Sequence, residues 1–113
     1  MPNVFDLDGA LERVEGDRDF LRELAGIYLD EVSKLFEVIT QAMEKNDITA
    51  ASKIAHTIKG ASSNFCAQPL YDAAFAFEQM TLANSPKEIE DGFQALRTEI
   101  DRLNAAIHQE FAI

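Results

Sequence analysis

The chain has 113 residues, enough for one domain with a modest core, and 47% of them are hydrophobic. A net charge of −10 argues against a phosphate backbone as partner, so nucleic acid binding is not expected. No apolar run approaches the length of a membrane span, the first residues lack the basic-then-apolar order of a secretory signal, and the single cysteine cannot form an internal disulfide, so a cytoplasmic protein is expected.

Residues 1–5 read as a short, loosely held arm. Asp6 or Asp8 can cap a short helix to about Val14, with Leu7, Ala10, Leu11 and Val14 on its apolar side. Glu15-Gly16 breaks it, and Asp17 caps a long helix. Phe20, Leu21, Leu24, Tyr28, Val32, Leu35, Ile39, Ala42 and Met43 recur on that helix at mixed three- and four-residue steps, one apolar face over about seven turns. Gly26 lies inside it and reads as a point of close helix packing. Lys45-Asn46 ends the helix and Asp47 caps the next, which runs to about Phe65-Cys66. Pro69 suits the first turn of a fourth helix, with Leu70, Ala73, Ala74, Phe77 and Met80 inward and Asn84 at its end. Ser85-Pro86-Lys87-Glu88 is a capping-box pattern. It opens a last helix in which Ile89, Phe93, Leu96, Ile100, Leu103 and Ile107 follow a strict seven-residue seam.

No segment alternates like a half-buried strand. The expected fold is all-α: a single domain over residues 1–113, an antiparallel up-down-up-down four-helix bundle with a short additional N-terminal helix.

The third helix is where chemistry is expected. At about 100° per residue, Ile48, Ala51, Ile54, Ala55, Ile58, Ser62 and Phe65 fall on one side. Thr49, Ser52, Lys53, His56, Lys59, Gly60 and Ser63 fall on the other. Residues 48–71 hold Lys53 and Lys59 and no acid, a local charge of +2 in a chain of net −10. An imidazole is therefore turned to solvent on a mildly positive patch. Most lone helical histidines are only solvated polar residues, but three neighbours single this one out. Gly60, one turn on, leaves the ring approachable by a protein-sized partner. Lys59 disfavours imidazolium and can pair with an anion attached to the ring. Small residues (Thr49, Ser52, Ala61, Ser63) make a low platform. The bland alternatives are a helix–helix contact for Gly60 and a solubilising role for Lys59. Together the features describe an exposed nucleophilic imidazole suited to carrying a phosphoryl group.

His56-Thr57-Ile58-Lys59-Gly60-Ala61-Ser62-Ser63-Asn64-Phe65 resembles the signature of histidine-containing phosphotransfer (HPt) domains. The opening FDLDGALERVEGDRDFLRELAGIYLDEV is similar to how such domains begin, and Phe77-Glu78 stands where the family often has Leu-Glu. The resemblance implies that His56 is the phosphorylated residue, that Lys59 stabilises the phosphoryl group and that Gly60 gives access. It also implies that Glu78 orients the ring from the next helix. Thr49, Ser52, Lys53, Ser63 and Asn64 would dock the partner. After the motif's apolar residue the family usually has glycine. Here Cys66 stands instead, which puts the local turn in question; its plain reading is a small buried hydrophobe.

With no glycine-rich phosphate loop and no room for an ATP domain, the chain is not expected to be an autonomous kinase. The resemblance implies a phosphorelay intermediate that takes a phosphoryl group from one receiver-domain aspartate and gives it to another. Its partners would be response regulator receiver domains and, as a second class, a sensor histidine kinase. No cofactor or metal is expected on this chain, while Mg²⁺ would sit on the receiver. A monomer that binds no membrane is expected. The start at Met1 favours a free-standing protein. The alternatives are the phosphoryl-accepting domain of a larger hybrid or chemotaxis-type kinase, and a non-catalytic helical adaptor for which His56 would be dispensable. A di-iron bundle is disfavoured, because Lys53 and Ala105 stand where Glu-x-x-His would need glutamate.

Overall fold

The computed structural model describes residues 4–113, which form five helices and, among the described residues, no strand. The helices are α1 (Leu7–Arg13), α2 (Arg18–Glu44), α3 (Ile48–Ser63), α4 (Gln68–Glu78) and α5 (Pro86–Phe111). Residues 1–3 of the expected arm lie outside the described residues. Val4 and Phe5 are not loose: both pack, partly buried, against the core.

Side-chain caps start four of the five helices. Asp6, Asp17 and Asp47 accept from the backbone N–H groups of Gly9, Phe20 and Ala50, and Ser85 and Glu88 form the reciprocal capping box. The ends obey a different rule. Glu15, Asn46 and Cys66 all have positive φ (56°, 54° and 51°), and each is followed by a backbone bond reaching back five residues. Those bonds are Gly16 N to Leu11 O, Asp47 N to Ala42 O and Ala67 N to Ser62 O. Each closes a Schellman motif. The Cys66 question is thereby resolved. The residue adopts the left-handed conformation that glycine would take without strain, and α3 stops at Ser63, short of Phe65-Cys66.

The core is built from α2, α3, α4 and α5. Leu21, Ala25, Tyr28, Val32, Ile39 and Ala42 of α2 meet Ile48, Ala51, Ala55 and Ile58 of α3. Leu70, Ala74 and Phe77 of α4 pack with the seam of α5, all six of whose expected residues are buried, with Phe111 added at its end. A side chain of this size contributes about 1.5–3 kcal/mol when fully buried. Phe36 of α2 stacks on Phe93 of α5 at 6.0 Å, while Arg18, at the start of α2, lies over Phe111 at 5.2 Å. Arg18 and Arg22 also donate to the terminal carbonyls of Glu110 and Phe111, which closes the end of α5.

Three further expectations change. Phe20 is 46% exposed rather than inward, because Leu21 takes the core position and Phe20 lies about 100° round the helix. Gly26 is not a packing contact: a Cβ there would meet nothing within 4 Å. α4 ends at Glu78, not Asn84, since Thr81 and Asn84 use their side chains to hold a separate turn. α5 runs past its seam to Phe111, and the exposed His108 ring meets the Ile113 carbonyl.

α1 seals the carboxyl end of α3. Asp6 N donates to the Cys66 carbonyl at 3.2 Å, and Arg13 donates to the Ser63 carbonyl. Gly9 permits the approach, because a Cβ there would come within 3.2 Å of the Cys66 sulfur and 2.7 Å of an Asp6 oxygen.

Candidate phosphoryl-accepting site

The site sits on α3 because that helix buries one face and leaves the other to solvent. Ile48, Ala51, Ala55, Ile58 and Ser62 are buried, and Ile54 is partly so. Thr49, Lys53, His56, Gly60 and Asn64 form the exposed stripe. The His56 side chain is 66% exposed. A Cβ on Gly60 would meet no atom within 4 Å, so the surface beside the ring is open.

Glu78, the last residue of α4, faces this stripe and binds two partners at once. Its Oε1 meets His56 Nδ1, and its Oε2 accepts from Lys59 Nζ at 2.7 Å. The end of α4 is fixed there by Ser52, whose hydroxyl donates to the Glu78 backbone carbonyl at 2.5 Å. The Lys59 ammonium bonded to Glu78 holds its carboxyl below the usual glutamate range; burial opposes this, and His56 adds to the lowering. An ionised carboxylate can only accept, so the proton between it and the ring belongs to Nδ1. In the neutral imidazole the free lone pair is then on Nε2.

Lys59 departs from its expected place. It is not a solvated lysine on the outer face: its side chain is only 15% exposed. The ammonium lies 4.9 Å from the Phe75 ring centroid and 5.8 Å from that of Tyr71. It is thus committed to Glu78 on the Nδ1 edge of the imidazole. Tyr71, Phe75 and Glu78 share one face of α4, offset from the buried face of Leu70, Ala74 and Phe77. The two aromatics carry no motif of their own, although their four-residue spacing, followed by Glu78 on the same face, is legible in the sequence.

The remaining docking residues divide. Thr49, Lys53 and Asn64 are exposed. Ser52 and Ser63 are half-buried, and their hydroxyls serve backbone carbonyls of Glu78 and Gly60. Among the described residues, no three His, Cys, Asp or Glu side chains come together as a metal site, and no helix is long and apolar enough to cross a membrane.

A family model described as the Hpt domain matches residues 23–106, from the first turns of α2 through most of α5. The chain belongs to the Hpt domain family. Hpt domains are helical bundles that carry out histidine phosphotransfer in two-component systems, where they interact with receiver domains and kinases. No curated protein and no solved structure matches the chain.

Proposed function

We propose that this Hpt domain is a phosphorelay intermediate that accepts a phosphoryl group on His56 Nε2 from a receiver aspartate and passes it to another. The observation that carries this reading is the exposed His56 ring, anchored at Nδ1 by Glu78 and open beside Gly60. In the accepting step the Nε2 lone pair attacks phosphorus of the aspartyl phosphate. The N–P bond forms, the P–O bond to the aspartate breaks, and its electrons return to the carboxylate. The ring, still protonated at Nδ1, becomes cationic, and Glu78 lies where that charge develops. Reversal on a second receiver delivers the group. The receiver would bring Mg²⁺, and this chain the nucleophile, its carboxylate anchor and a surface on which in-line geometry can be reached.

Docking is supported by continuity between two helices. Leu24, Ile27 and Glu31 of α2 line a cleft of about 60 Å³ with Ala61 of α3 and Asn64, which caps it. Ile27 is 60% exposed, and Phe20 and Val38 extend the same side of α2. Thr49, Lys53, Gly60 and Asn64 complete the surface. Lys59 stands on Glu78 in the resting state, so contact with a phosphoryl group on Nε2 would require it to leave that carboxylate.

The test is incubation with a phosphorylated receiver domain. Acid-labile, alkali-stable label is expected on this chain and none on His56→Gln. Label persisting on His56→Gln, or no transfer from any receiver of the same genome, overturns the reading.

A further inference from the structure

Glu78 alone does not explain how Lys59 is held. A lysine ammonium carries three donors. Among the described residues, the one acceptor it reaches is Glu78 Oε2 at 2.7 Å. The side chain is 15% exposed, so the rest of the charge is largely withdrawn from water. A withdrawn cation needs compensation on its other sides. Two aromatic rings stand there, Phe75 at 4.9 Å and Tyr71 at 5.8 Å, both within the range at which a ring face attracts an ammonium. Phe75 is the nearer, and it is 47% exposed. Its place is not explained by burial in the core, which α4 supplies with Leu70, Ala74 and Phe77.

The contacts form one chain of support. Phe75 and Tyr71 flank Lys59, Lys59 bonds Glu78, and Glu78 bonds His56 Nδ1. An untethered lysine would exchange its contact with Glu78 for water, because an exposed lysine gains rotamer freedom by doing so. Each departure leaves Glu78 without the ammonium on Oε2 and free to turn about its terminal torsion. The Nδ1 proton would then no longer be held in one place, and Nε2 would lose its standing as the free nitrogen.

We propose that Phe75, seconded by Tyr71, is a positioning residue for histidine phosphotransfer: its ring holds the Lys59 ammonium on Glu78, and so keeps the proton on Nδ1 and the lone pair on Nε2 of His56. The part that concerns transfer rests on His56 being the phosphoryl acceptor; the part that concerns Lys59 and the ring proton does not.

The experiment compares the native chain with Phe75→Leu, which keeps an apolar side chain and removes the ring, and with Phe75→Tyr, which keeps the ring. On the unphosphorylated proteins, NMR reads the Lys59 Cε proton shifts and the Nδ1–H to Nε2–H tautomer ratio of His56. A receiver-phosphate assay then reads the transfer rate. In Phe75→Leu the upfield ring-current displacement of the Lys59 protons is expected to vanish. The tautomer ratio and the transfer rate are each expected to fall roughly two- to five-fold. Phe75→Tyr is expected to keep all three near native. Native Lys59 shifts and a native tautomer ratio in Phe75→Leu overturn the proposal. So does a slower transfer with both signals unchanged, since Phe75 would then act by touching the partner. Absence of transfer in every protein overturns the function proposed for His56, while the two NMR signals still decide whether the ring holds Lys59.

Discussion

At the scale of single residues, the proposed reading turns on Glu78, which contacts both His56 and Lys59. It was legible in the sequence only through family resemblance, because nothing local links residue 78 to residue 56. The link is tertiary: α4 ends on Glu78, and Ser52 clamps that end to α3. Lys59 was legible as a cation near the ring but not as a buried one, since its environment comes from Tyr71 and Phe75 on another helix. Glu78→Gln tests this. The amide keeps the shape but can present a donor to Nδ1, loses the charge that would compensate a phosphorylated ring, and frees Lys59. Transfer to His56 is expected to slow by roughly 10- to 100-fold, the scale seen when the hydrogen-bond partner that orients a metal-bound histidine is removed. Transfer kinetics with a phosphorylated receiver measure it, and a native rate would assign Glu78 no part in the chemistry.

At the scale of helices, starts are more legible in the sequence than stops. A start is announced by a local side chain that caps the first turn, so Asp17, Asp47 and Ser85 could be picked out directly. The stops at Glu15, Asn46 and Cys66 depend on left-handed backbone at residues other than glycine, which the residue names barely signal. The end of α4 is set by Ser52 and by the Thr81–Asn84 turn, so it came six residues earlier than apolar spacing implied. Under the proposed reading, the two mid-helix glycines are expected to separate by function. A Cβ at Gly26 or at Gly60 meets nothing within 4 Å, so neither is a packing residue. Each glycine to alanine change is expected to stabilise the fold by about 0.5–1 kcal/mol, the helical difference between the two residues. Gly26→Ala is expected to leave transfer unchanged. Gly60→Ala is expected to slow it, because the added methyl stands beside the imidazole where a receiver must approach. Thermal unfolding and transfer rates on the same two proteins check both parts. Equal transfer rates in the two variants would remove the access role of Gly60.

At the scale of the whole molecule, 20 acidic side chains against 10 basic ones repel one another over a small surface. The seam of α5 and the apolar face of α2 fix the bundle whatever the charge, which is why the fold class was legible from periodicity alone. The acid response is expected to draw on two particular carboxylates. Glu78 is lowered chiefly by its bond from Lys59, and Glu88 chiefly by the backbone N–H of Ser85 at the start of α5. In the unfolded chain both return to the ordinary glutamate value. A carboxyl that is lowered in the folded state binds protons more weakly there than when unfolded. Its contribution to stability is therefore complete above the ordinary value and drains away as pH falls through the lowered one. Added salt at neutral pH is expected to raise Tm by screening the net negative charge. Acidification is expected to leave stability level or slightly higher down to the ordinary carboxylate range, and to lower it below that range. Glu78→Gln and Glu88→Gln should each flatten that acid limb. Unfolding midpoints measured against pH for the native chain and both variants check the sign, and an acid limb as steep in both variants as in the native chain would assign the loss to other carboxylates.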